Sequence, residues 1–192
     1  MRNRTLSNQH TRRSIRLPSF DYASPGAYFV TICTHGRECL LGELVNGEMR
    51  MNEIGKIVEE EWLKTAEIRH EIFLDEFVIM PNHFHGVVWI LDDRNDTDGR
   101  RGTARRAPTT ERFGKPVIGS IPTIVRGFKS AVTKRVNEMN PLFGPVWQRN
   151  YYERVIRSDA ELDAVRQYIR DNPAKWEEDE YGKALDKMHK IM

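Results

Sequence analysis

The residues with the clearest chemical potential are two histidines separated by a single residue. His83 and His85 follow the turn-forming stretch Met80–Asn82 and open an apolar run that reaches Ile90. If that run is a β-strand, its side chains alternate between faces, so both imidazoles point the same way. Neutral imidazole is a common ligand of divalent metals, so the pair predicts a two-ligand metal site that needs a further donor. The alternative is a histidine pair hydrogen-bonded on a half-buried sheet face.

A helical segment late in the chain carries the residue types that the pair lacks. Tyr168 and Asn172 are four residues apart, so they lie on one face of a helix. The amide oxygen of Asn172 can ligate a cation, and the donor set would hold Mg²⁺ or Mn²⁺ with positions left for a phosphate oxygen. Tyr168 would then be a nucleophile toward phosphorus. The alternative is a packed aromatic and an Asn at a helix end, and rival tyrosines occur at Tyr28, Tyr151, Tyr152 and Tyr181.

The elements that must position these residues can be predicted from periodicity and turn chemistry. Asn46-Gly47 between two short alternating runs predicts a hairpin, and Asn52 and Ser158 are typical helix N-caps. Pro173 disfavours the helical conformation in the residue before it, so the last helix is predicted to end at Asn172. The patterns predict strands over 27–34, 70–80, 84–91 and 146–156, and helices beginning near 53, over 118–139 and over 159–172. This order predicts an α+β domain with a mostly antiparallel sheet and helices on one face.

Length and charge distribution indicate one domain with polar extensions. The chain has 192 residues and a net charge of +2, and its first acidic residue, Asp21, follows an arginine-rich stretch. We predict a basic arm over 1–20, a single domain over 21–176 with a mobile excursion at 92–117, and a polar tail over 177–192. No apolar run approaches the roughly 18 residues that a membrane span needs, and two cysteines do not make a disulfide framework. A cytoplasmic location is expected.

Three ordered motifs resemble the REP-associated tyrosine transposases, a branch of the single-tyrosine HUH transposases. They are Met80–Gly86, Val146–Arg157 and Tyr168–Pro173, and the resemblance runs from about Tyr22 to Trp176. It implies a ferredoxin-like or RRM-like sheet with the His-hydrophobic-His motif on a central strand. It also implies that His83, His85 and Asn172 are metal ligands and that Tyr168 is the nucleophile. Members of the family cut single-stranded DNA near hairpins or palindromic repeats, forming a 5′-phosphotyrosine and a free 3′-hydroxyl.

This resemblance suggests a use for the basic and aromatic residues, which could track phosphates or stack on unpaired bases. The candidates for DNA contact are Arg12, Arg13, Arg16, Tyr22, Arg126, Lys129, Lys134, Arg149, Tyr151, Tyr152 and Arg154. The expected partner is single-stranded or hairpin DNA with REP-like palindromes, bound by a monomer or a homodimer. No membrane partner is expected. Two alternatives stay open: a non-catalytic, domesticated DNA-binding protein that recognises repeated palindromes, and an unrelated metal hydrolase that uses the same histidine pair.

Overall fold

The described part of the chain forms six strands and three helices. A computed structural model describes residues 20–92 and 117–176. In chain order the elements are β1 (Gly26–Cys33), β2 (Gly42–Val45), β3 (Glu48–Met51), α1 (Glu53–Glu67), β4 (Ile72–Met80), β5 (His83–Ile90), α2 (Ile121–Met139), β6 (Tyr152–Ile156) and α3 (Asp159–Asp171).

The centre of the fold is a four-stranded antiparallel sheet with the strand order β4-β5-β1-β6. β1 pairs with β5 along its whole length, with Thr31 opposite His85 and Cys33 opposite His83. The units β1-α1-β4 and β5-α2-β6 are interleaved, so that each pair of parallel strands encloses one antiparallel strand, as in a ferredoxin-like fold. The predicted α+β class is confirmed, and the histidine motif lies on an interior strand.

The small hairpin β2–β3 and the start of α1 follow from local chemistry, as predicted. Asn46 and Gly47 have φ values of 55° and 78°, the left-handed conformation that a two-residue hairpin turn requires. Asn52 then caps α1, because its side chain accepts a hydrogen bond of 3.0 Å from the backbone N–H of Gly55. These elements lie between β1 and β4 in sequence and bring α1 onto the sheet.

The sheet is covered on both faces, so the prediction of helices on one face is correct for α1 and α2 and wrong for α3. On the first face the rings of Trp62, Phe84 and Phe128 pack together, with centroids 4.7 to 5.6 Å apart. On the second face Phe29 and α3 form a separate apolar cluster. The physical reason is that β1 and β5 carry apolar side chains on both faces of the sheet, and a single layer of helices cannot bury both faces.

Two helix ends differ in detail from the expectation. α2 begins at Ile121 rather than at 118, because Ser120 caps it and Pro122 occupies its first turn. α3 ends at Asp171, one residue before the predicted end. Asn172 nevertheless keeps helical angles, with φ −57° and ψ −44°, and a 3₁₀ turn continues over Pro173–Lys175. The predicted end of α3 is thus correct to within one residue, although Pro173 does not move Asn172 out of the helical conformation.

Several predictions fall on other parts of the chain. The basic arm, the interior of the 92–117 excursion and the tail from 177 lie outside the described residues, so they stay predictions. The predicted extended edge over 146–156 contains β6, preceded by one isolated bridge between Trp147 and Thr34. In the ranges that the structure describes, no helix is both long and apolar enough to cross a membrane.

Candidate active site

The two histidines lie side by side on the face of β5 that α3 covers. Their ring centroids are 4.6 Å apart, with the planes inclined at 68°. The residue between them, Phe84, points to the opposite face and packs against Trp62. The two-residue period of a strand therefore produces both the histidine pair and its support in the core.

Each histidine is oriented by an oxygen at its Nδ1 atom. Nδ1 of His85 lies 2.7 Å from Thr31 Oγ1, and Nδ1 of His83 lies 2.7 Å from Asn82 Oδ1. An amide oxygen only accepts, so His83 Nδ1 carries the proton in this contact, and its Nε2 carries the lone pair when the ring is neutral. If Thr31 accepts in the same way, Nε2 of His85 is also an acceptor. Oxygen partners behind the ring are the usual way in which metal-ligating histidines are held.

Burial keeps both imidazoles neutral. It lowers the pKa of His83 to about 4, with a contribution from the Arg37 charge and an opposing one from a hydrogen bond to Asn172. Burial, and next the neighbouring His83, lower the pKa of His85 well below its usual range. Neutral imidazole is the form that binds metals, so neither ring has to lose a proton at neutral pH before it can act as a ligand.

α3 brings the nucleophile candidate onto this pair. Ser158 caps the helix, and an apolar stripe of Leu162, Val165 and Ile169 packs on the sheet. Tyr168 lies beside this stripe, and its hydroxyl oxygen is 3.3 Å from His85 Nε2. Its ring also meets the edge of Phe29, with centroids 6.1 Å apart.

The rival tyrosines that the structure describes are placed differently. Tyr28 is fully buried on the opposite face of the sheet, where its hydroxyl donates to the backbone oxygen of Ser24. The Tyr151 hydroxyl donates to the Glu153 carboxylate over 2.6 Å. Tyr152 is half-buried on β6, and burial raises its pKa. Tyr181 lies outside the described residues.

Asn172 completes the group of four residues that the sequence singled out. Its side chain is 5% exposed and hydrogen-bonds to His83. The amide is held there because the helical backbone continues through Asn172 into the following 3₁₀ turn. Two imidazoles and a side-chain amide thus meet beside the Tyr168 phenol.

This donor set suits a divalent metal of the kind predicted. Nitrogen and oxygen donors are neutral here, and the lone pair of His83 Nε2 is directed away from its backing oxygen. In the described ranges, no cluster of three His, Cys, Asp or Glu residues forms a metal site. A site at this position therefore depends on the Asn172 amide as the third donor, and the choice of Mg²⁺ or Mn²⁺ stays a prediction.

Two neighbours of His83 were missed by the sequence reasoning. The Trp176 ring stacks on His83, with centroids 6.0 Å apart and planes inclined at 26°. Arg37 is exposed in the 3₁₀ turn after β1, and its charge acts on His83. No local pattern marks either residue, because both reach His83 only through the fold.

The exposed cations predicted to contact DNA are divided between two sides of the domain. Arg126, Lys134 and Arg149 are exposed. The first two lie on α2, whose apolar face packs on the side of the sheet opposite the histidines. Arg149 follows the segment that bridges to the end of β1, and this end of β1 pairs with His83. Among these three residues, Arg149 is therefore the one placed at the histidine end of the sheet.

Two other residues predicted to contact DNA form a hydrogen bond or an ion pair within the protein. Lys129 Nζ donates to the backbone oxygens of Gln148 and Arg149 over 2.6 and 3.2 Å. Arg154 Nε lies 2.8 Å from Glu161 Oε1, which ties β6 to α3. Nearby carbonyl and carboxylate groups occupy both cations in this structure, and DNA contact by Lys129 and Arg154 stays a prediction.

The aromatic candidates for base stacking are also constrained. Tyr22 is 8% exposed and packs against Phe20 and Tyr28, and its stacking on a base stays a prediction. Tyr151 and Tyr152 are half-buried, and base contact by them stays a prediction. The remaining candidates, Arg12, Arg13 and Arg16, lie outside the described residues.

No family model matches the chain. An uncharacterised protein of Haemophilus influenzae is 39% identical over 171 residues, which are 89% of this chain and 93% of that protein. The structure of a REP-associated tyrosine transposase bound to a REP hairpin is similar with a TM-score of 0.53 and 17% identity, over 80% of this chain and 70% of that one. At this identity the structural similarity shows a shared fold, as the resemblance of the motifs implied.

Proposed function

We propose that this chain, which belongs to the same family as the Haemophilus influenzae protein and has the fold of a REP-associated tyrosine transposase, nicks and rejoins single-stranded DNA. The proposed substrate is hairpin or palindromic repeat DNA. The reaction would pass through a 5′-phosphotyrosine formed on Tyr168. The solved transposase of the same fold was captured on a hairpin, which supports this choice of substrate.

One observation carries the proposal. Tyr168 belongs to α3 and His85 to β5, and the phenol oxygen lies 3.3 Å from His85 Nε2. A tyrosine packed only for its ring would not need its hydroxyl at the imidazole of a His-x-His pair.

Some residues of the site would bind the metal ion, and another would attack the phosphate. His83, His85 and Asn172 would hold a Mg²⁺ or Mn²⁺ ion, which when bound polarises the phosphate and offsets its charge. Because the His85 Nε2 lone pair cannot serve two partners, the Tyr168 hydroxyl would give up its hydrogen bond to that nitrogen if His85 held a metal ion. The phenol would then act as the nucleophile.

The step itself is an in-line displacement at phosphorus. Tyr168 loses its phenolic proton and forms an O–P bond to the 5′ phosphate, while the P–O3′ bond breaks and the leaving oxygen gains a proton. The phosphotyrosine ester keeps the energy of the bond, so a 3′-hydroxyl can attack it and restore a DNA strand. This reversibility is what separates strand transfer from simple hydrolysis.

A covalent-capture assay tests this proposal. The full chain is incubated with an end-labelled single-stranded hairpin and Mn²⁺, and the products are separated under denaturing conditions. We expect a labelled protein–DNA adduct that disappears with a chelator and with Tyr168→Phe. Gln167→Ala is the matched control, since Gln167 is the exposed neighbour on the same helix and contacts Asp171.

The other outcomes identify the competing functions. Hairpin binding that survives chelation, with no adduct from a panel of hairpins, would indicate a non-catalytic DNA-binding protein. Turnover of a small phosphoester that is unaffected by Tyr168→Phe would indicate a metal hydrolase. An adduct that persists in Tyr168→Phe would assign the nucleophile to another residue.

A further inference from the structure

Strand β4 is interrupted directly beside the helix that carries Tyr168. Leu74 pairs with Val88 and Phe77 with Gly86, so Asp75 and Glu76 together face the single intervening residue of β5. Two residues opposite one is a β-bulge. The Asp75 carboxylate accepts from the backbone N–H of Glu76 over 2.8 Å, which satisfies a donor that the bulge removes from the ladder.

The bulge sends two successive carboxylates toward α3. In a regular strand, adjacent side chains point to opposite faces. Here Asp75 accepts two hydrogen bonds from Arg166, of 3.0 Å from Nε and 2.7 Å from Nη2. Glu76 accepts from Nε and Nη2 of Arg170 over 3.0 and 2.5 Å. The two arginines are one helical turn apart, so the pairs form two adjacent clamps between β4 and α3.

Asp75 is the better buried of the two carboxylates. Its side chain is 9% exposed, whereas that of Glu76 is 33% exposed. Its second oxygen also accepts from Trp89 Nε1 over 3.1 Å. A planar guanidinium that meets a carboxylate with two nitrogens fixes orientation as well as distance. Asp75 therefore links β4, β5 and α3 at one point.

The clamps lie on one side of the apolar stripe of α3, and Tyr168 lies on the other. At 100° per residue, Arg166 and Arg170 flank the stripe toward β4, while Tyr168, Asn172 and Glu161 flank it on the far side. Glu161 meets Arg154 of β6 there. The helix is thus held on both flanks, and this arrangement opposes rotation about its axis.

Such a rotation is the motion to which the site is most sensitive. A side-chain atom about 6 Å from the helix axis moves about 1 Å when the helix turns by about 10°. A misplacement of about 1 Å in a reacting group can cost about 100-fold in rate. The apolar stripe alone resists this motion weakly, because hydrophobic contacts are not directional.

We propose that Asp75, through its bulge and its paired contact with Arg166, is a positioning residue that sets the rotation of α3 and so the place of Tyr168 and Asn172 at the histidine pair. The catalytic part of this inference rests on the proposed strand transfer. Asp75 itself touches neither the nucleophile nor the candidate metal ligands. Its role would be exerted through the helix alone.

The test compares two carboxylates that meet the same arginine. Asp75→Asn removes the partner on β4, and Asp163→Asn removes a partner within α3 itself, 3.3 Å from Arg166 Nη1 and 74% exposed. The second variant changes the same charge without touching the sheet. A third variant, Arg166→Gln, is combined with Asp75→Asn in a double-mutant cycle.

Two readouts are taken on the full chain. Hydrogen exchange of the α3 amides reports docking of the helix without any need for catalysis. The single-turnover rate of adduct formation at saturating hairpin DNA, together with the half-saturating DNA concentration, reports positioning. Both are measured well below the thermal midpoint of each variant, so that only folded protein contributes.

In Asp75→Asn we expect faster hydrogen exchange of the α3 amides than in the wild type. Adduct formation should be about 10- to 100-fold slower, while the half-saturating DNA concentration stays within about twofold of the wild-type value. Asp163→Asn should match the wild type in both readouts. The double variant should be no slower than Asp75→Asn alone, because both changes break the same contact.

Distinct results overturn the positioning role and the proposed function. Equal hydrogen-exchange rates of the α3 amides in Asp75→Asn and Asp163→Asn would refute the claim that the contact between Asp75 and Arg166 docks the helix. Faster exchange with an unchanged single-turnover rate would refute positioning and leave only a stabilising ion pair. If the wild type forms no adduct with any hairpin, the proposed function fails, and the exchange measurement still decides whether Asp75 docks the helix.

Discussion

Replacing Thr31 by valine removes the oxygen behind His85 and changes the shape of the side chain very little. The Thr31 hydroxyl lies 2.7 Å from His85 Nδ1, and His85 is 1% exposed, so water cannot replace the lost partner. A buried polar group left without a partner costs about 1 to 3 kcal/mol, which is the expected loss of unfolding free energy. The same oxygen stands where the outer-shell partner of a metal-ligating histidine usually stands.

The substitution should also change which nitrogen of His85 carries the proton. Without an acceptor at Nδ1, the neutral ring gains by moving its proton to Nε2, where the Tyr168 hydroxyl can accept it. That tautomer cannot ligate a cation through Nε2. Loss of an outer-shell partner typically lowers metal affinity about 10- to 100-fold, or about 1.4 to 2.7 kcal/mol.

Titration of Mn²⁺ into the full chain measures this affinity, and chemical denaturation measures the stability. Thr133→Val is the matched control, because the Thr133 hydroxyl donates to the Lys129 backbone oxygen within α2, on the other face of the sheet. We expect an affinity loss in Thr31→Val alone. Unchanged Mn²⁺ affinity in Thr31→Val, or an equal loss in Thr133→Val, would refute the role assigned to the contact between Thr31 and His85.

Three further predictions follow from the same structure. Gly86→Ala should lower the unfolding free energy by about 1 to 3 kcal/mol in a denaturant titration, because the added Cβ would lie 2.8 Å from a Trp62 ring carbon and 2.9 Å from the Phe84 ring. Asn172→Ala should weaken Mn²⁺ binding in the same titration while the circular dichroism spectrum stays that of the wild type, because it removes the third donor. The Arg166 hydrogen bonds hold the pKa of Asp75 below its unfolded value of 3.8, against the opposing effect of burial, so this stabilisation is complete above that pH and is lost as the pH falls through the lower folded pKa. The gap in unfolding free energy between wild type and Asp75→Asn should therefore close in acid, and a gap that stays constant down to strongly acidic pH would contradict the assignment.

Predictions that rest on neighbouring residues were accurate. The Asn46-Gly47 turn, the Asn52 and Ser158 caps and the strand alternation at His83 and His85 depend on backbone preferences and on the two-residue period of a strand. These preferences act over a few residues, so they are visible in the sequence and survive folding. The α+β class followed from the order of such segments.

Contacts between residues that are distant in sequence were not visible in the sequence. Tyr22 and Lys129 were singled out by residue type as candidates for DNA contact, and the sequence did not show that the first is buried or that the second donates to backbone oxygens. Their fate depends on which surfaces meet, and a pattern of residue types does not contain that information. For the same reason the bulge at Asp75 was not predicted, since a bulge is a property of the register between two strands.

The sequence by itself determined that His83 and His85 share a face and that Tyr168 and Asn172 share another, because both statements follow from the period of one element. Only the tertiary structure decided that these two faces meet, although His85 and Tyr168 are 83 positions apart in the sequence. That meeting depends on α3 packing on the second face of the sheet rather than beside α1 and α2 on the first. The physical cause is the apolar character of β1 and β5 on both sides, which requires a second layer, together with the contacts at β4 and β6 that hold this layer in place.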